Sequence, residues 1–290
     1  MDKLPIFSIQ QFNCRKFNSD FYINDLNSHL SGHDFISKPH KHNFYLTVIF
    51  TNGTGVHEID FKKYDVKKGS IFFLSPGQIH HWNLSQDIDG YIFFHTKDFY
   101  NLYFNTKRIE DYPFYNSFLN TPSYSIKEED LDLFLNYINE IKEEYLNNYS
   151  EDNLILNLLD VFYVKLNRLL ITEIENNFQN NSYVHQIQKL EKIIDENYVH
   201  SKNPSFYADK MHTSLKHLNR ICKETIGITL TNFIMDRVIL EAKRLLIHTD
   251  IPISETALKL GYDDYSYFSR VFKKYENMTP KTFKNKYFET

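Results

Sequence analysis

The sequence predicts an α+β chain of more than one domain: a small β-barrel or sandwich, then helices, then an all-α module with two helix-turn-helix units joined by a long helix. Three observations predict it. Between His40 and about residue 99, short β-branched and aromatic runs alternate with turn residues, and no helical stretch separates them. From Ile126 onward the apolar period becomes helical. In the C-terminal third, a helix, a tight turn and a second helix occur twice. A length of 290 residues leaves room for two domains of ordinary size.

Residues 1–35 are polar and aromatic without a clear period, which fits short strands or an arm. Strands are expected over 44–50, 56–61, 71–74, 81–84 and 90–95. The turns between them are Asn52-Gly53-Thr54-Gly55, Lys67-Lys68-Gly69 and Ser75-Pro76-Gly77. Leu131, Phe134, Ile138, Ile141 and Tyr145 predict a helix over 127–147. A second helix, 152–175, carries one stripe of Ile155, Leu159, Phe162, Leu166 and Leu169, and an adjacent one of Leu154, Leu158 and Val161. A helix apolar on two faces needs two partners. One partner is the β-domain, and the other is either the same chain or the same helix of a second subunit.

The polar run NNFQNNSY at 176–183 reads as a linker. The expected domains are therefore 1–175, which holds the β-block and the helix that could dimerise, and 184–290, which holds the two helix-turn-helix units. A helix over 185–198 comes first in the second part. The short helix after Pro204, the N-cap pair Thr213-Ser214 and a helix over 215–225 ending at Gly227 form the first helix-turn-helix. Leu218 and Cys222 are its buried side, which turns Lys216, His217, Asn219, Arg220 and Lys223 outward. A long helix over 229–248 leads to the second unit. There Ile253, Ala257, Leu258 and Leu260 precede the Gly261-Tyr262 turn, and Phe268 and Phe272 fix the inner face of the last helix in the unit. Ser266, Tyr267, Ser269, Arg270, Lys273 and Lys274 then lie outside, with Arg270 suited to a guanine edge and the lysines to phosphates.

Charge agrees with this division. Residues 183–290 carry 17 Lys and Arg against 13 Asp and Glu, whereas residues 1–182 carry 16 against 24. The first balance suits nucleic acid and the second does not. Two cysteines, Cys14 and Cys222, form no disulfide framework and no metal spacing, as expected of a reducing cytoplasm. No apolar run has the length of a membrane span, and the first residues lack a signal-peptide core, so a cytoplasmic location away from membranes is expected.

The C-terminal phrase resembles the signature of AraC-type bacterial transcription activators. The matching residues are Ala242–Leu246 (AKRLL), Ile253, Ala257, Leu260-Gly261-Tyr262, Tyr267-Phe268-Ser269, Phe272-Lys273-Lys274 and Met278-Thr279-Pro280. Met211, Leu218, Asn219-Arg220 and Lys223-Glu224 match the family's first unit, although Cys222 stands where Phe is usual and Asn277 where Gly is frequent. By the family's docking mode, Lys216, Asn219 and Arg220 approach bases and the other outward residues approach phosphates. The β-block resembles the cupin-type sensor domain of many such regulators, through Pro39-His40-Lys41-His42, Gly53-Thr54-Gly55, Asp60-Phe61, Lys68–Phe73 and Ser75–His80. The resemblance implies a homodimer that binds operator DNA, responds to a small-molecule effector, and activates through RNA polymerase.

Metal-bearing cupins add a Glu after their paired histidines. Here Leu46 and Thr47 fill those positions, and the later motif reads Pro76-Gly77 rather than Pro-x-Gly. The histidines at 40, 42 and 80 are therefore expected as a vestigial metal set, with no metal, no other cofactor and no catalytic residue. The expected effector pocket has His42 and His80 as anchors and Tyr45, Phe73 and Trp82 as walls. Two other readings compete: a metal-dependent cupin enzyme fused to a DNA reader, and a constitutive DNA-binding protein whose barrel only dimerises.

Overall fold

The computed structural model describes residues 5–12, 20–33, 38–104, 107–116, 122–147, 151–177, 181–249 and 251–288. They form two compact units, Pro5–Ile174 and Glu175–Thr290.

The described residues of the first unit contain ten strands: β1 (Ile6–Phe7), β2 (Phe21–Asp25), β3 (His40–His42), β4 (Tyr45–Asn52), β5 (Gly55–Ile59), β6 (Lys62–Val66), β7 (Ser70–Leu74), β8 (Ile79–Leu84), β9 (Asp89–His95) and β10 (Ser123–Ser125). They make two five-stranded sheets, ordered β1-β3-β8-β5-β6 and β10-β7-β4-β9-β2. Every pairing is antiparallel except that of β1 with β3. Short helices α1 (Leu26–Gly32), α2 (Lys97–Asn101) and α3 (Pro113–Asn116) lie in the connections, and α4 (Glu128–Leu146) and α5 (Asp152–Asn177) follow. The segments before His40 have no strong period; β1 and β2 are short strands of the kind expected there, whereas α1 goes beyond what the sequence indicates.

Side chains alternate across a strand, and that parity divides the aromatic residues into two cores. Leu46, Val48 and Phe50 of β4, with Phe72, Leu74, Ile92 and Phe94, face Ile59 and Val66 of the opposite sheet. Tyr45 and Ile49 of the same strand, with Ile71, Phe73 and Phe93, face away, toward Phe134, Ile138, Ile155, Leu159, Phe162 and Leu166 on α4 and α5. The second sheet is thus covered on both faces, which is why β4 and β7 read as continuous apolar runs. Ile155, Leu159, Phe162 and Leu166 of α5 are fully buried here and Leu169 is half-buried; of the neighbouring stripe, Leu154 and Val161 are 45 % and 41 % exposed and Leu158 is half-buried against the same core.

The second unit contains α6 (Asn181–Asn197), α7 (Pro204–Lys210), α8 (Leu215–Ile226), α9 (Leu230–His248), α10 (Ile253–Lys259), α11 (Tyr265–Glu276) and α12 (Pro280–Phe288). The expected linker 176–183 is partly helical, since α5 runs to Asn177 and α6 begins at Asn181; residues 178–180 lie outside the described residues. Asn and Ser cost a helix only tenths of a kcal/mol each, too little to end one alone. Arg237 fixes α9 to α6: its Nε donates to Asp195 at 2.7 Å, its guanidinium lies 4.1 Å from the Tyr198 ring, and Glu241 accepts from Nη1 at 2.9 Å.

Candidate nucleic-acid interface and sensor site

The two helix-turn-helix units are built alike. Ser214 caps α8 by accepting from the His217 amide, and Asp264 caps α11 by accepting from the Ser266 amide. The chain leaves α8 through Gly227 at φ 73° and α11 through Asn277 at φ 59°. Gly and Asn are the residues that take this left-handed position most cheaply. Thr229 then accepts from the Asn232 amide, and Thr279 from the Thr282 amide. The caps Ser214 and Asp264, the exits Gly227 and Asn277, and the threonines Thr229 and Thr279 repeat with an offset of fifty residues. Leu218 and Cys222 are buried under α8, and Phe268 and Phe272 under α11.

The turns differ. His212 adopts φ 51° in the first, and Gly261 φ 74° in the second. A Cβ on Gly261 would lie 2.0 Å from the carbonyl oxygen of Val199, so that backbone approach requires glycine. Lys202 seals the junction, with its ammonium 4.6 Å from the Tyr262 ring centre.

This construction places each sequence-predicted residue on a face. On α8, Lys216, Arg220 and Lys223 are exposed and His217 is half-buried; on α11, Ser266, Tyr267, Arg270, Lys273 and Lys274 are exposed and Ser269 is half-buried. Asn219 is the exception. Its Oδ1 accepts from the Leu230 amide at 3.0 Å, so the side chain turns inward to the start of α9. An orphan amide at a helix start draws such a side chain, and outward spacing alone could not reveal that. Arg220 also has partners. Its Nη2 donates to the hydroxyl of Tyr183 at 2.9 Å and to His217 Nδ1 at 3.1 Å.

In the first unit the histidines do come together, and they gather a fourth. His40 on β3 pairs in register with His80 on β8, and His57 on β5 is opposite Trp82. His80 ring centres lie 4.4 Å from His40, 5.2 Å from His42 and 5.2 Å from His57. Backbone carbonyls fix two rings: His40 Nδ1 donates to Lys38 O and His42 Nδ1 to Phe44 O, both at 2.8 Å. His57 Nε2 and His80 Nδ1 share a hydrogen bond of 3.0 Å. Burial, reinforced by neighbouring imidazoles, lowers His42 to about 3 and His40 to about 4, and holds His57 and His80 well below the usual histidine value. These rings are neutral at neutral pH. His42 Nε2, His57 Nδ1, His80 Nε2 and Trp82 Nε1 are buried without a partner among the described residues. His57 escaped the sequence reading because it follows no motif; only strand register brings it to the cluster.

The expected walls Tyr45 and Phe73 do not join this cluster. They sit on the other face of their sheet, against Tyr115 and Phe114. The reason is parity: the partners that face the histidines from β4 and β7 are Leu46, Phe72 and Leu74. Among the described residues, no group of three or more His, Cys, Asp or Glu is arranged to hold a metal ion.

Comparison with known proteins agrees with both halves. A helix-turn-helix domain model matches residues 207–286, and an AraC-like ligand binding domain model matches residues 27–120. The chain belongs to the AraC-type regulators. The HTH-type transcriptional activator RhaR of Enterobacter sp. (strain 638) is 24 % identical over 83 % of this chain and 84 % of its own length. The arabinose operon regulatory protein of Escherichia coli (strain K12) is 26 % identical over 86 % of this chain and 83 % of its own. ToxT from Vibrio cholerae strain SCE256 is 15 % identical over 93 % of this chain and 96 % of its own, with a TM-score of 0.41. These relatives are transcription regulators. As an AraC-type regulator the chain departs from the usual sequence at Cys222, and its own second unit shows the consequence. Phe272 occupies the equivalent place in α11, and in α8 the smaller thiol of Cys222 fills that fully buried position. No helix among the described residues is long and apolar enough to cross a membrane.

Proposed function

We propose that this regulator binds operator DNA through α8 and α11, each lying in a major-groove segment, under control of a small molecule held between the two sheets of the first unit. The observation that carries the reading is the repetition of cap, helix and exit at fifty-residue spacing with a basic outer face each time. α9 is about 28 Å long at 1.5 Å per residue, a length suited to bridging neighbouring groove segments on one face of a duplex. Arg270, Arg220 and Lys216 approach base edges in this proposal, and Lys223, Lys273 and Lys274 meet phosphates. Ser266, Tyr267, Ser269 and His217 line the same faces; Asn219 is left out because it caps α9.

The effector site is assigned to His42, His57, His80 and Trp82, whose buried polar atoms need partners. The protein acts as a homodimer through the exposed stripe of α5, and activates by contact with RNA polymerase. The domain limits 1–175 and 184–290 are kept, with no catalytic step and a cytoplasmic location. A binding-site selection on Arg220→Ala and Arg270→Ala tests the reading. Each variant is expected to lose base preference at one position of the site; unchanged preferences in both would refute the assignment.

A further inference from the structure

We propose that Tyr183 competes with DNA for Arg220 and so sets how strongly the first helix-turn-helix reads its base. The inference rests on the base-reading role proposed above for Arg220.

A guanidinium has five N–H donors: one on Nε and two on each terminal nitrogen. Both hydrogens of Arg220 Nη2 are engaged, one by the Tyr183 hydroxyl at 2.9 Å and one by His217 Nδ1 at 3.1 Å. A two-pronged contact to guanine uses two neighbouring nitrogens, and both forks of an arginine, Nη1 with Nη2 and Nε with Nη2, need a hydrogen of Nη2. With Nη2 occupied, Arg220 keeps only a single-nitrogen approach through Nη1, or a weak one through Nε, which sits 4.0 Å from Glu224. The guanidinium must leave Tyr183 or His217 before it forks onto a base.

The setting supports a restraint rather than a passing surface contact. The Tyr183 ring is half-buried, stands edge-on to the His217 ring at 6.1 Å and 83°, and lies 6.0 Å from the guanidinium carbon. Tyr183 belongs to the first turn of α6, not to either helix-turn-helix. The second unit has no such device: Arg270 makes no hydrogen bond or ion pair among the described residues. The two reading helices are therefore unequal, one arginine open and one held. A held arginine lowers affinity and, at the same time, base discrimination at its own position.

The test is a double-mutant cycle on the full chain with an operator fragment obtained by selection. Tyr183→Phe keeps the ring and removes the acceptor. It is expected to tighten binding about fivefold, the worth of roughly one hydrogen bond, and to sharpen guanine preference at one position. In the Arg220→Ala background, Tyr183→Phe should change neither quantity. Thermal melting of each variant, unchanged from the parent, confirms that folding is intact. Weaker binding by the same factor in both backgrounds would mean that Tyr183 itself touches DNA, and would overturn the proposal. Weaker binding only when Arg220 is present would mean that Tyr183 steadies the arginine for reading, and would overturn it too. If Arg220→Ala alone leaves affinity and preference unchanged while Arg270→Ala does not, the reading role of Arg220 fails and this inference with it. In that case the rest of the DNA interface stands.

Discussion

Single residues on this chain make separable contributions to recognition. Lys273 and Arg270 share the exposed face of α11, but their chemistry differs. Lys273→Ala is expected to weaken all DNA sequences alike and to flatten the salt dependence by about one counterion. Arg270→Ala is expected to cost about 1–3 kcal/mol on the cognate site only. Affinity measured across a salt series, on cognate and scrambled duplexes, distinguishes the two. The buried histidines predict a pH dependence. Their folded pKa values lie below the ordinary value near 6.5, so the unfolded chain binds protons that the folded chain refuses. Stability contributed by keeping them neutral is complete above about pH 6.5 and falls as pH drops toward the folded values. At pH 5 His40 and His42, with folded values of about 4 and about 3, each cost about 2 kcal/mol, and the β-unit should melt well before the helical unit. Melting followed from pH 7.5 to pH 5 by probes in each unit checks this; a flat profile would contradict the cluster.

At the scale of elements, the two left-handed glycines of the helical unit give a paired comparison. Gly227 at the end of α8 has open space where a Cβ would go, while Gly261 has the Val199 carbonyl there. Gly227→Ala should cost about 1 kcal/mol, the strain of the backbone alone. Gly261→Ala should cost clearly more, because α10 and α11 must move away from the end of α6. Chemical denaturation of both variants measures the difference. Most of these helices were legible in the sequence, because caps such as Ser214 and Asp264 and the i, i+4 pair Phe268 and Phe272 are local signals. Asn219 was not, because the amide it caps belongs to another helix. The strands were legible as runs, but not their facing. Tyr45 and His42 are three residues apart, yet Tyr45 packs under the helices and His42 enters the space between the sheets. Only pairing register settles that.

For the whole molecule, the exposed stripe of α5 carries the prediction about assembly. Val161→Glu, at an exposed position of that stripe, should give a folded monomer with weakened operator binding, read by sedimentation and by a gel-shift titration, whereas the same change at half-buried Leu158 also meets the core of its own chain. A parent chain that stays monomeric at every usable concentration would reject the dimer. Loss of fold in the variant would assign the stripe to the interior of one chain. The histidine cluster also has an optical consequence. Trp82 is the only tryptophan among 290 residues, and its ring lies 5.2 Å from His57 and 5.0 Å from His80. A protonated imidazole at that distance quenches indole emission, and a neutral one does so far less. Red-edge excitation selects this one indole over the 21 tyrosines. The chain thus carries its own fluorophore in the space assigned to its effector, and titrating a compound library against that emission is a direct way to find the molecule it senses.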